Sequence, residues 1–241
     1  MRVVVSIGGS VLAPDLDAGR VGSYADVVRD LTAAGRELGV VVGGGPVARE
    51  YIEAARALDA NEIELDQIGI DVTRLNARLL ITALGDLAAP SPPADHQTGR
   101  EVLQRGQVPV MGGTEPAHTT DAVAAAFAEY VNADLLVYAT SVPGVFDADP
   151  NANPDADRFD RLTASELVTV IAELEMDAGS SAPVDLLAAK IIQRSGMPAV
   201  VLDGADPASI ERAIGEGAFD GTEIVPDDGV ALDARLEFDD D

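Results

Sequence analysis

Three apolar, β-branched runs in this chain each stop abruptly at glycines, and that pattern limits the fold more than any other feature. Residues 3–7 run into Gly8-Gly9-Ser10. Residues 40–42 run into Gly43-Gly44-Gly45-Pro46, and residues 108–111 into Gly112-Gly113-Thr114. A fourth run, 135–139, leads into Thr140-Ser141 and then Gly144, Phe146 and Asp149. A fifth covers 199–202. Helical periodicity fills the spaces between, over 24–38, 47–58, 67–84, 121–131, 164–174 and 184–195. Pro46 suits the first position of a helix, and Thr163-Ala-Ser-Glu166 reads as a capping box. Strands separated by helices imply a largely parallel sheet with helices on both faces. Right-handed crossovers then bring the strand ends and their glycine loops to one edge.

Glycine lets backbone N–H groups approach an anion closely, and a following helix start adds positive partial charge. One such loop is a common strand-to-helix turn. Three at successive strand ends point to a ligand with several phosphates. Two classes of ligand remain open on this evidence. Gly43-x-Gly45-x-x-Ala48 satisfies the dinucleotide pattern G-x-G-x-x-A, which supports an NAD-linked oxidoreductase. That pattern normally follows the first strand of its unit, and it leaves the loops at Gly112 and Thr140 without a task. The P-loop pattern and the protein-kinase signatures are absent from the sequence.

Charge narrows the field further. The chain carries 42 acidic and 16 basic residues, a net charge of -26, yet 47% of its residues are hydrophobic. The apolar periodicity excludes disorder as the reason for the acidity. So acidic a chain is a poor general binder of nucleic acid. It is the composition of a folded protein adapted to high salt, where the Debye length shrinks to about 3 Å near 1 M. Lys190 is the single lysine beside fifteen arginines. Cysteine is absent, which removes disulfides and thiolate metal sites, and no apolar run is long enough to span a membrane. A cytoplasmic protein with no membrane partner and no metal site of its own is expected.

Taken in order, Gly8-Gly-Ser10, Gly43-Gly-Gly-Pro-Val-Ala-Arg49, Asp66-Gln-Ile-Gly69, Pro109-Val-Met-Gly-Gly-Thr114, His118-Thr-Thr-Asp121, Gly144-Val-Phe146 and Asp185-Leu-Leu-Ala-Ala-Lys190 resemble the amino-acid-kinase superfamily. The set is most similar to the archaeal type of UMP kinase, from residue 1 to about 225. The resemblance implies a three-layer αβα sandwich, ATP with Mg²⁺ carried on its phosphates, UMP as acceptor, and a homohexamer. It implies a single domain over 1–225, with an acceptor part at about 1–130 and an ATP part at about 131–225. An acidic tail is expected at 226–241. Acetylglutamate and isopentenyl phosphate kinases are the nearest alternatives.

The resemblance also assigns residues. Gly9, Ser10, Gly45 and Arg49 fall at positions that meet the ATP phosphates, and Thr140, Phe146 and Asp149 at those that hold its adenosine end. Gly44, Asp66 and the loop residues Thr114, Glu115, His118, Thr119 and Thr120 fall at the UMP positions. Lys190 and Arg49 are the candidates for neutralising charge during transfer, with Asp185 as helix start and orienting group. The chain departs from many relatives at Ser6, where they carry lysine, and at Pro143, where they carry aspartate. His96, read as lying in a linker, is expected to be a hydrogen-bonding or surface residue.

Overall fold

The structure is a computed structural model that describes residues 1–150, 152–176 and 183–228. The part of the expected acidic tail beyond residue 228 lies outside the described residues. In chain order the elements are β1 (Arg2–Ile7), α1 (Gly9–Leu12), α2 (Ala18–Ala33), β2 (Glu37–Val42), α3 (Gly45–Arg56), α4 (Glu62–Leu84), α5 (His96–Gln104) and β3 (Val110–Met111). They continue with α6 (Thr120–Tyr130), β4 (Leu135–Thr140), β5 (Arg161–Thr163), α7 (Ala164–Met176), α8 (Leu186–Ser195), β6 (Ala199–Asp203), α9 (Ala208–Glu216) and β7 (Gly221–Val225).

The seven strands form one sheet in the order β3-β2-β1-β4-β6-β7-β5. The first five positions run parallel to one another. Only β7 and its parallel partner β5 run the other way. Side chains alternate across the pleat, so β1 sends Val3, Val5 and Ile7 to one face and Val4 to the other. The first face packs against α2, α4 and α9, the second against α6, α7 and α8. Three layers with two separate cores result, the αβα sandwich expected from the sequence.

Several boundaries differ from the periodicity. The first long helix does not reach residue 38: Asp17 caps α2 at its start by accepting from the Gly19 N–H, and Gly35 at φ +80 turns the chain into β2. The fourth helix starts earlier than residue 67, because Asn61 and Glu64 form a reciprocal capping box. His96 is not in a linker. It opens α5, which Asp95 caps by accepting from the Thr98 N–H at 2.7 Å. Strand β7 was hidden by its polar residues. Thr222 and Glu223 are buried there, satisfied by a bond to the Phe159 carbonyl and an ion pair with Arg161 at 2.6 Å.

Candidate active site

Because β1 to β4 are parallel, their carboxyl ends share one edge of the sheet, and the glycine loops meet there. The loop after β1 and the loop after β2 touch through their backbones. A Cβ on Gly9 would lie 2.3 Å from the Gly45 nitrogen, and one on Gly45 would lie 2.5 Å from the Gly9 carbonyl carbon. Gly45 also sits at φ +65, which favours glycine. The loop leads directly into α3, whose second residue is Pro46.

One face of α4 fastens the surrounding loops. Asn76 donates from Nδ2 to the Gly43 and Gly44 carbonyls at 2.9 and 3.1 Å. Thr73 accepts from the Gly113 N–H at 2.7 Å and donates to its own helix at the Ile70 carbonyl. Asp66 accepts from the Ala117 N–H at 2.8 Å, holding the loop that follows β3. Positions 66, 73 and 76 are separated by seven and three residues, which places them on one helix face.

The loop from Thr114 ends by capping two helices in series. Thr119 accepts from the Ala122 N–H at the start of α6, and its hydroxyl donates to Asp185. Asp185 caps α8 through its other oxygen, accepting from the Ala188 N–H at 2.8 Å. Beside this pair lies Asp121, half-buried, with a long contact of 3.4 Å from the Ser6 hydroxyl. Burial, reinforced by the Asp185 charge, pushes its carboxyl up to about 7.

Between these elements opens a cleft of about 420 Å³. Gly44, Gly45 and Arg49 form one wall, Asp66 and Thr73 a second, and His118, Thr119 and Thr120 a third. The structure therefore brings together much of the expected phosphate and acceptor sets. Thr114, Glu115 and His118 border an adjoining pocket of about 310 Å³ under the same loop. His96 also lines that pocket. Its ring stacks on Phe127 at 6.2 Å, its Nε2 is buried without a partner, and burial pushes its pKa down.

A match to the model of the amino acid kinase family covers residues 1–203. The chain belongs to the amino acid kinase family. It is 69% identical to a uridylate kinase from Haloarcula marismortui, over 94% of this chain and 100% of that one. It is 64% identical to a uridylate kinase from Halobacterium salinarum, over 94% of each. The crystal structure of uridylate kinase from Archaeoglobus fulgidus matches it with a TM-score of 0.84 at 43% identity, covering 93% of this chain and 100% of that one.

Within this amino acid kinase fold, not every expected residue reaches the cleft. Lys190 is exposed on α8, with Nζ 3.5 Å from Gln193 Oε1. It lines a neighbouring depression with Asp185, Ala117 and Thr119, the last two of which also border the cleft. Thr140 closes β4, where its hydroxyl donates to the Val142 carbonyl at 2.7 Å and accepts from the Val142 N–H. Phe146 pairs with Arg158 in an isolated bridge, and the Asp149 carbonyl accepts from Asn153 at 2.8 Å. At Pro143 the carbonyl accepts from Arg158, which also pairs with Asp220 at 2.6 Å. Asn76 and Thr73 were not picked out from the sequence as site residues, and their only signal is a polar residue at the spacing of a buried face. Asp121 ends the His118-Thr-Thr-Asp121 motif, but the sequence assigned it no role.

Proposed function

We propose that this chain is a uridylate kinase that transfers the γ-phosphoryl group of ATP to UMP, giving UDP and ADP in pyrimidine nucleotide synthesis. One observation carries the reading. The Gly9 and Gly45 backbones touch beside a cleft that contains both Arg49 and Asp66. Two phosphate-binding loops that meet backbone to backbone suit two nucleotides whose phosphates must meet. The 69% identity to the Haloarcula enzyme supports the same acceptor.

The reaction asks little covalent chemistry of the protein. An oxygen of the UMP phosphate forms a bond to the γ-phosphorus as the bond to the β–γ bridging oxygen breaks. The acceptor phosphate has a second pKa of about 6, so it arrives mostly dianionic and no general base is required. Gly9, Ser10, Gly45 and Arg49 hold the ATP phosphates, and the Arg49 fork suits phosphate oxygens. Gly44 and the Thr114–Thr120 hydroxyls and amides hold UMP, and Asp66 accepts from its ribose. Thr140, Phe146 and Asp149 hold the adenosine end. Lys190, extended from α8, and Asp185, which fixes Thr119, complete the set around the transferring group. The cleft wall offers N–H groups, Arg49 and threonine hydroxyls, a donor set that fits a nucleotide bringing its own counter-ion. Mg²⁺ on ATP would neutralise the β- and γ-phosphate oxygens there.

The family resemblance assigns the acceptor to a part of about 1–130 and the adenosine end of ATP to a part of about 131–225, and a cleft walled by Asp66, Thr119 and Thr120 supports the first of these. Leu75 and Leu79 stand exposed one turn apart on α4, and Tyr51 is exposed on α3, which supports self-association; the homohexamer itself rests on the family resemblance. Among the described residues no helix is long and apolar enough to cross a membrane; a cytoplasmic location is part of the kinase reading. The net charge of -26 and the haloarchaeal relatives support a halophilic enzyme. ADP release from ATP in the presence of UMP tests the reading. A folded enzyme that releases no ADP in response to UMP overturns it.

A further inference from the structure

We infer that Asn76 is a positioning residue for both nucleotides, orienting two adjacent backbone amides, one for each phosphate chain. The inference rests on the kinase reading above and concerns a residue that touches neither substrate.

Asn76 lies on α4 at 2% exposure and sends both Nδ2 hydrogens to one glycine loop, to the Gly43 and Gly44 carbonyls at 2.9 and 3.1 Å. Both partners are pure acceptors, so the amide nitrogen must face them and the orientation of the side chain is determined. A peptide unit is planar, and in the trans form its N–H points opposite to its C=O. The described residues contain no cis peptide. The Gly43 carbonyl shares its peptide unit with the Gly44 N–H, and the Gly44 carbonyl shares its unit with the Gly45 N–H. Drawing both carbonyls toward Asn76 therefore turns both N–H groups away from it. Gly44 and Gly45 are the residues assigned to the acceptor and donor phosphates. A single side chain thus sets the direction of two anion-binding donors in consecutive peptides.

Glycines need such a restraint. Their peptide units rotate more freely than any others, and a donor must be held in place before charge develops if it is to stabilise that charge. The Gly9 backbone blocks the loop on one side, and Asn76 fixes the carbonyls from α4.

The test is steady-state kinetics with ATP and UMP each varied, on Asn76→Ala, Asn76→Ser and a control. Leu80→Ala serves as the control, because Leu80 is fully buried on the same helix and takes no part in the site. Asn76→Ala should lower kcat/KM for UMP and for ATP together, by roughly 100-fold, the scale of losing a preorganised donor. Asn76→Ser, which keeps one donor, should fall between. Leu80→Ala should lower Tm and leave the kinetics of the folded fraction unchanged. Asn76→Ala kinetics that match those of Leu80→Ala, or a loss confined to one nucleotide, overturn the inference. If Asn76→Ala does not fold, amide NMR on the wild type decides. UMP should move the Gly44 resonance and ATP the Gly45 resonance, and the absence of either shift is contradictory. If the wild type prefers another monophosphate, the UMP reading fails, and the same test runs with that acceptor.

Discussion

Gly9 and Gly45 come from loops 36 residues apart, yet neither has room for a single methyl group: the added Cβ would sit 2.3 Å from one backbone and 2.5 Å from the other. The atoms in the way are backbone, which cannot swing aside as a flexible side chain would. Gly9→Ala must therefore push apart the loops assigned to the two phosphate chains. It should cut kcat by roughly 100-fold or more, as expected when binding groups are displaced by about an ångström. Tm should also fall. Gly45→Ala adds the strain of a left-handed backbone, about 1–2 kcal/mol. Thermal melts beside single-turnover assays check both variants, and a Gly9→Ala enzyme with normal turnover would mean that the loop contact has no part in catalysis.

Asp121 gives a pH dependence with a definite sign. An exposed aspartate in the unfolded chain titrates near ~4, while burial and Asp185 push the folded carboxyl up to about 7. Between those values the folded state binds the proton more tightly than the unfolded state. Stability is therefore greatest below the unfolded pKa and falls as pH rises through about 7. Asp121→Asn keeps the shape and removes the titration. It should melt higher than the wild type at pH 8, by about 2–4 °C for each kcal/mol recovered, and flatten the decline between pH 5 and 8. Melts across that range provide the check. A variant that melts lower than the wild type at pH 8 would show that the carboxylate is stabilising there.

Salt acts on the whole surface. Among the described residues several ion pairs are exposed on both sides, such as Arg29–Asp26 and Arg212–Asp206, and they do little to offset a net charge of -26. At 0.1 M salt the Debye length is about 10 Å, long enough for neighbouring carboxylates to repel one another and the incoming nucleotides. Near 1 M it is about 3 Å. Phosphate binding by Arg49 and Lys190 weakens with salt, but it involves few charges and the repulsion involves dozens. Tm and kcat should both rise from 0.1 M toward molar KCl. Flat or falling curves would assign the acidity another cause.

The parts of the fold carried by local chemistry were legible in the sequence. The glycine loops after β1, β2 and β3, the capping box at Thr163 and Glu166, and the Asp185 cap are all written within a few residues. The hidden parts depend on partners far along the chain. Glu223 reads as solvated until Arg161 is placed beside it, 62 residues away. Asn76 and Thr73 look like the polar side of an amphipathic helix, and only the glycine loops, 30 to 40 residues distant, reveal that this face is buried. His96 sits in a Pro-rich stretch, and without the Asp95 cap that stretch reads as a linker. Lys190 stood out for its rarity, a property of composition, and the structure places it beside the cleft rather than within it.

The central claim is that the cleft selects a uridine monophosphate, and the most direct measurement is kcat/KM with saturating ATP across UMP, CMP, AMP and GMP. In the wild type, UMP should be turned over well and the purine monophosphates poorly. Asp66 holds the Ala117 N–H and is assigned to the ribose. Asp66→Asn should therefore raise the KM for UMP with a smaller change in kcat, as expected for contacts equal in ground and transition states. Comparable kcat/KM values for AMP and UMP in the folded wild-type enzyme would contradict the account.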